Sequence, residues 1–153
     1  MRRPLEKPSH AKLIIAAMWP PDLTEDQVLC ELEKAWGELG SKHPTYTFTH
    51  TKYYEPEMGS ELKKLFVEVK GLRVRECLVD EKLKAYELEE KFLGSKGERK
   101  LNLDPMLLSL ENLVIATSKN FTHRVYIRNG IYADLAFIRK QGRYEALPWT
   151  FLD

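Results

Sequence analysis

The first strong apolar pattern is the unbroken run Leu13-Ile14-Ile15-Ala16-Ala17-Met18-Trp19, stopped by Pro20-Pro21. A short continuous run bounded by breakers predicts a buried strand, placed over residues 12–19. Thr24-Glu25-Asp26-Gln27 then has the capping-box spacing, and Val28, Leu29, Leu32, Ala35, Trp36 and Leu39 recur at helical intervals. That pattern predicts an amphipathic helix closed near Gly37 or Gly40. Thr45 to His50 alternates threonines with Tyr46, Phe48 and His50, and Leu65 to Val69 alternates likewise, so each is expected as a strand. A second helix is expected over residues 80–93, packing through Leu83, Tyr86 and Leu88, with Glu87 one turn before Lys91.

Leu107 to Thr117 fits two patterns. Leu107, Leu110, Leu113 and Val114 suit a helix capped by Ser109, which is the favoured expectation, whereas Val114 to Thr117 alone would serve a strand. The last third is clearer, because Asn129-Gly130 and Gln141-Gly142 separate alternating segments at hairpin spacing, predicting a three-stranded antiparallel meander. A plain two-residue turn at Asn129-Gly130 would set Arg128 opposite Ile131, Tyr126 opposite Ala133, and His123 opposite Ala136 with Asp134 one diagonal step away. The expected class is α+β: a single domain over residues 1–153, largely antiparallel, with two or three helices on one face and residues 1–10 as a flexible lead.

Composition narrows the partners. The 24 Lys+Arg and 23 Asp+Glu of 153 residues nearly cancel, so no bulk field favours nucleic acid. The longest apolar run is far short of the roughly 20 residues a spanning helix needs, and Glu6 and Lys12 interrupt any export signal after Arg2-Arg3. No membrane partner is expected. Cys30 and Cys77 fall in apolar helical contexts and are read as packed free thiols of a reducing, cytoplasmic protein.

Most catalytic motifs are missing. Gly94 to Lys100 lacks the glycine spacing and the Ser/Thr of a phosphate loop, and there is no Gly-x-Gly-x-x-Gly, His-Glu-x-x-His, Cys-x-x-Cys or Gly-x-Ser-x-Gly. His10, His43, His50 and His123 share no ligand spacing, so no metal and no cofactor are expected. Chemistry is concentrated instead in Tyr53-Tyr54-Glu55-Pro56-Glu57-Met58-Gly59, in Asn102-Leu103-Asp104-Pro105, and in the polar run Thr117 to Arg124. Exposed turns would account for the first two, with Asp104-Pro105 read as a turn after a strand. The third is either a solvated loop or an anion site with Lys119 and Arg124 as donors and His123 as a titratable group.

These three clusters, together with Gly130-Ile131-Tyr132-Ala133 and Pro148-Trp149-Thr150, resemble the bacterial and archaeal domain-of-unknown-function family 4416 over nearly the whole chain. The resemblance implies no assigned catalytic residues. Members sometimes carry a GTP-binding label, yet neither a phosphate loop nor an Asn-Lys-x-Asp motif is present here. The chain departs from the family pattern at Met106, usually Gly, and at the ending Phe151-Leu152-Asp153, while Asp134 keeps an acid where the family tends to have Glu.

The resulting expectation is a binding protein for a phosphate- or carboxylate-bearing small molecule or nucleotide. Its pocket would combine Lys119, Asn120, His123, Arg124 and Asp134 with Asp104, Tyr54, Glu55 and Trp149. One alternative is a hydrolase or transferase with His123 as base, Asp134 orienting it, and Lys119 or Arg124 stabilising charge. Another is an interaction module without chemistry. The oligomeric state is left open.

Overall fold

The computed structural model describes residues 1–151, so the Leu152-Asp153 end of the departing C-terminal pattern lies outside the described residues. The elements are β1 (Ala11–Trp19), α1 (Glu25–Trp36), β2 (Leu39–Lys42), β3 (Tyr46–Thr47), the one-turn α2 (Glu55–Met58), β4 (Lys63–Arg73), α3 (Leu78–Glu90), β5 (Asn102–Leu108), β6 (Asn112–Thr117), β7 (Arg124–Arg128), β8 (Ile131–Lys140) and β9 (Arg143–Ala146). They build an α+β domain around one antiparallel sheet of order β2-β4-β1-β5-β6-β8-β7, with β3 beside β4 and β9 beside β8.

Alternation along β1 decides which face is which. Leu13, Ile15, Ala17 and Trp19 join the main core with Val28, Leu32 and Trp36 of α1 and Leu78, Val79, Ala85 and Leu88 of α3. Met18 points the other way, into a smaller cluster with Met58 of α2, Leu62, Phe48 and Tyr54. The two long helices thus cover one face, and the segment around α2 covers one end of the other. α1 forms as expected: Thr24 and Gln27 exchange the capping-box hydrogen bonds and Gly37 closes the helix at φ 91°.

Leu107 to Thr117 is not a helix. Leu107 lies opposite Val114 and Met106 opposite Ile115, and residues 109–111 turn between β5 and β6. Ser109 makes that turn rather than a cap, its hydroxyl accepting hydrogen bonds from the Glu111 and Asn112 amides. The helical spacing misleads because a strand buried on both faces is apolar throughout, and Leu110, which completed it, is a 65% exposed turn residue.

Asp104-Pro105 likewise lies inside a central strand, Pro105 paired with Ile15 and Asp104 with Ala16. Pro105 is tolerated because the β5 to β6 ladder begins only at Met106, so no partner on that side awaits its missing N–H. The predicted strand at 45–50 shortens to β3, and Cys30 is exposed rather than packed.

The meander forms with Asn129 at φ 54° and Gly130 at φ 77°. Arg128 meets Ile131 as expected, but Ile127 is an extra residue, so Tyr126 pairs with Tyr132 and Arg124 directly with Asp134. His123 is therefore not opposite Ala136. Gly130→Val should lower stability by about 1 kcal/mol or more, because a β-branched residue is strained at that positive φ; an unchanged urea midpoint would refute the turn's role.

Candidate functional site

The ladder brings chemistry to the face away from α1 and α3. One row of paired residues runs Ile14, Met106, Ile115, Asp134, Arg124 across five strands, and the next contains Phe66, Ala16 and Asp104. Asp104 and Asp134 are two strands and one pleat apart, roughly 12 Å between backbones.

At the β7 side, a single Asp134 oxygen receives Arg124 Nε at 3.0 Å and lies 3.3 Å from His123 Nε2. Arg124, His123 and Asp134 side chains are only 11%, 12% and 8% exposed. Arg124 Nη1 also donates to the Lys119 carbonyl at 3.0 Å, tying the polar loop to the strand. Trp149 stacks on His123 with centroids 5.0 Å apart and planes 17° apart, while Phe121 meets the same imidazole edge-on at 5.4 Å. Trp149 is fixed because β8 carries an irregularity opposite Leu113 and Val114, where the Leu135 carbonyl accepts its indole N–H at 2.7 Å and the Ala136 carbonyl accepts the Thr150 hydroxyl.

The β5 side is built from α3. Lys82 Nζ donates to the Leu103 carbonyl at 2.8 Å and to Asp104 Oδ1 at 3.0 Å, and Glu89 accepts the Leu103 N–H at 2.7 Å. Two helix side chains thereby satisfy the backbone of a strand edge that β6 does not reach. Asn102 donates to Asp104 Oδ2 at 2.9 Å and accepts from Arg99, whose other terminal nitrogen pairs with Glu57 at 2.8 Å. Burial works against the Asp104 charge, but Lys82, Asn102 and Lys64 outweigh it and hold the carboxyl below its ordinary value. Burial lowers Lys64, with Asp104 opposing.

Tyr54 connects the two sides. Burial and then the Asp104 charge push its phenol up to about 12, with Arg99 and Arg124 pulling the other way, so both clusters act on one hydroxyl. Lys119 Nζ lies 4.1 Å from the Tyr53 ring centroid and 5.5 Å from that of Tyr54.

Of the residues predicted from sequence, Tyr54, Asp104, Lys119, His123, Arg124, Asp134 and Trp149 thus belong to one connected region. Glu55, at the start of α2, and Asn120, in the loop after β6, are exposed. Lys82, Glu89 and Arg99 were not anticipated. For Lys82 and Glu89 the only signal is the spacing Leu78, Lys82, Ala85, Glu89, which puts charges on the buried stripe of α3, and Arg99, in the loop after α3, carries none. An open groove beside α1, lined by Asp26, Gln27, Cys30, Glu31 and Phe92, contains none of the predicted residues.

Burial raises the Glu89 carboxyl above its ordinary value, with Lys82, the Leu103 N–H and Arg99 opposing. A folded-state pKa above the unfolded one contributes stability that is full below the unfolded pKa and lost as pH rises through the folded pKa. Glu89→Gln keeps an oxygen for Leu103 but cannot titrate, so its urea midpoint should be flatter as pH rises above the ordinary carboxylate range. Parallel curves for the two proteins would contradict this assignment.

The family model described as domain of unknown function (DUF4416) matches residues 9–153, and the chain belongs to that family. No curated protein and no solved structure matches it. No helix is long and apolar enough to cross a membrane, and among the described residues no group of three or more His, Cys, Asp or Glu is arranged to hold a metal ion.

Proposed function

We propose that the sheet face away from α1 and α3 binds an anionic small molecule, with Lys119 as its principal charge donor. The observation that carries this reading is the state of the charges. Asp104 is matched by Lys82 and Asp134 by Arg124, whereas among the described residues the Lys119 ammonium has no ion pair and rests on two aromatic rings. Arg124 spends Nε and Nη1 internally, so its part is to hold the loop that presents Lys119. Trp149, Phe121 and Tyr53 add apolar walls, which suits a phosphate or carboxylate attached to a carbon skeleton. A cytoplasmic setting belongs to the same reading, supported by the free thiols of Cys30 and Cys77.

Thermal-shift titration with inorganic phosphate, citrate and a nucleoside monophosphate tests it. At least one should stabilise the protein saturably. Lys119→Ala should weaken that ligand by about 1.5–3 kcal/mol, the worth of a charge-assisted hydrogen bond, while leaving the unliganded melting temperature unchanged because the side chain is exposed. No stabilisation by any of the three would sink the proposal.

The His123 to Asp134 contact at 3.3 Å supports a second reading, a hydrolase or transferase with His123 as base. It is the weaker one, since the same Asp134 oxygen already accepts from Arg124 and Trp149 covers one face of the imidazole.

A further inference from the structure

Tyr53 and Tyr54 stand perpendicular, with centroids 5.1 Å apart and planes at 87°, and Phe48 meets Tyr54 at 6.1 Å and 68°. The two rings present their electron-rich faces to one point, since the Lys119 ammonium lies over both. An ammonium, that of Lys119, already occupies the corner. Tyr53 is 64% exposed, so this contact is solvated and readily displaced.

We propose that the two tyrosines form an ammonium-binding cage in which Lys119 is a built-in occupant, and that the ligand of this face is a zwitterion carrying an alkylammonium beside its anionic group. The proposal rests on the reading of the face as an anion site. A bare anion that draws Lys119 off the rings forfeits the cation–ring contact. A ligand bearing its own ammonium restores it in the same step, so the exchange conserves charge in the cage and adds an ion pair outside it. Alkylation of the ligand nitrogen helps further, because a weakly hydrated ammonium loses less on leaving water for an aromatic surface than the primary ammonium it replaces.

Calorimetry with inorganic phosphate, choline and phosphocholine separates the two ideas. The intact protein should bind phosphocholine about threefold to tenfold more tightly than phosphate. Tyr53→Ala, an exposed substitution that leaves Tyr54 in its cluster, should abolish that preference, bringing phosphocholine and phosphate to equal affinity. Lys119→Ala should act in opposite directions, weakening phosphate at least about tenfold while tightening choline about threefold, since the competing ammonium is gone. Choline binding that is unchanged or weaker in Lys119→Ala overturns the cage, as does equal affinity of the intact protein for phosphate and phosphocholine. Failure of both phosphate and phosphocholine to bind overturns the anion site instead, and the choline measurement on the two proteins still decides the cage.

Discussion

Lys82→Met is expected to destabilise the fold by about 3–5 kcal/mol, the usual loss when one member of a buried ion pair is removed. The Lys82 side chain is 6% exposed and its ammonium bridges the Leu103 carbonyl and Asp104. Its loss strands a carbonyl at the β5 edge and a carboxylate in a poorly solvated place at once. Asp104→Ala should be of similar size from the opposite side, because the Leu103 carbonyl is then the only hydrogen-bond acceptor left to the ammonium. The double variant Lys82→Met with Asp104→Leu should recover part of the loss, since neither member of the pair is left without the other. Acid pH offers an independent check. The Asp104 carboxyl lies below its ordinary value, so its contribution is present above the unfolded pKa and disappears as pH falls through the folded pKa. The intact protein and Asp104→Asn should therefore converge in urea midpoint at low pH and differ near neutrality. A Lys82→Met midpoint equal to that of the intact protein would mean that the ammonium is solvated and that the strand edge needs no donor.

That network also shows where reading the sequence fails. β1, α1 and the meander are legible because each carries a local signature that tertiary contacts reinforce: an apolar run between breakers, a capping box, two glycine turns. α3 carries a contrary one. Glu81, Lys82 and Glu89 look like a solvated face, yet they lie inward, Glu81 accepting the Trp36 indole N–H and the other two serving Leu103. Only the three-dimensional fact that β6 stops short of Leu103 makes buried charges favourable there. β5 and β6 fail differently, since strands apolar on both sides have no period to read. The polar run of residues 117–124 is visible as chemistry, but its pairing is not, because the extra residue at Ile127 moves Arg124 from a position opposite Leu135 to one directly across from Asp134.

That register makes Asp134 the second position of large effect. Asp134→Ala should lower stability by about 3–5 kcal/mol, because the Arg124 guanidinium, 11% exposed, would keep only the Lys119 carbonyl as hydrogen-bond acceptor. Arg124→Ala should also lower the melting temperature, leaving Asp134 with His123 alone and freeing the carbonyl that ties down the loop. Asp134→Asn discriminates between packing and charge: it preserves volume and an acceptor oxygen, so a loss close to that of alanine would assign the effect to the ion pair. The decisive comparison is between stability and binding. If Arg124 is structural and Lys119 meets the ligand, Arg124→Ala lowers the melting temperature and weakens phosphate only through the loosened loop, less than Lys119→Ala does, whereas Lys119→Ala leaves the melting temperature unchanged. Arg124→Ala that leaves stability intact but abolishes phosphate binding would exchange the two roles and make the guanidinium itself the anion donor.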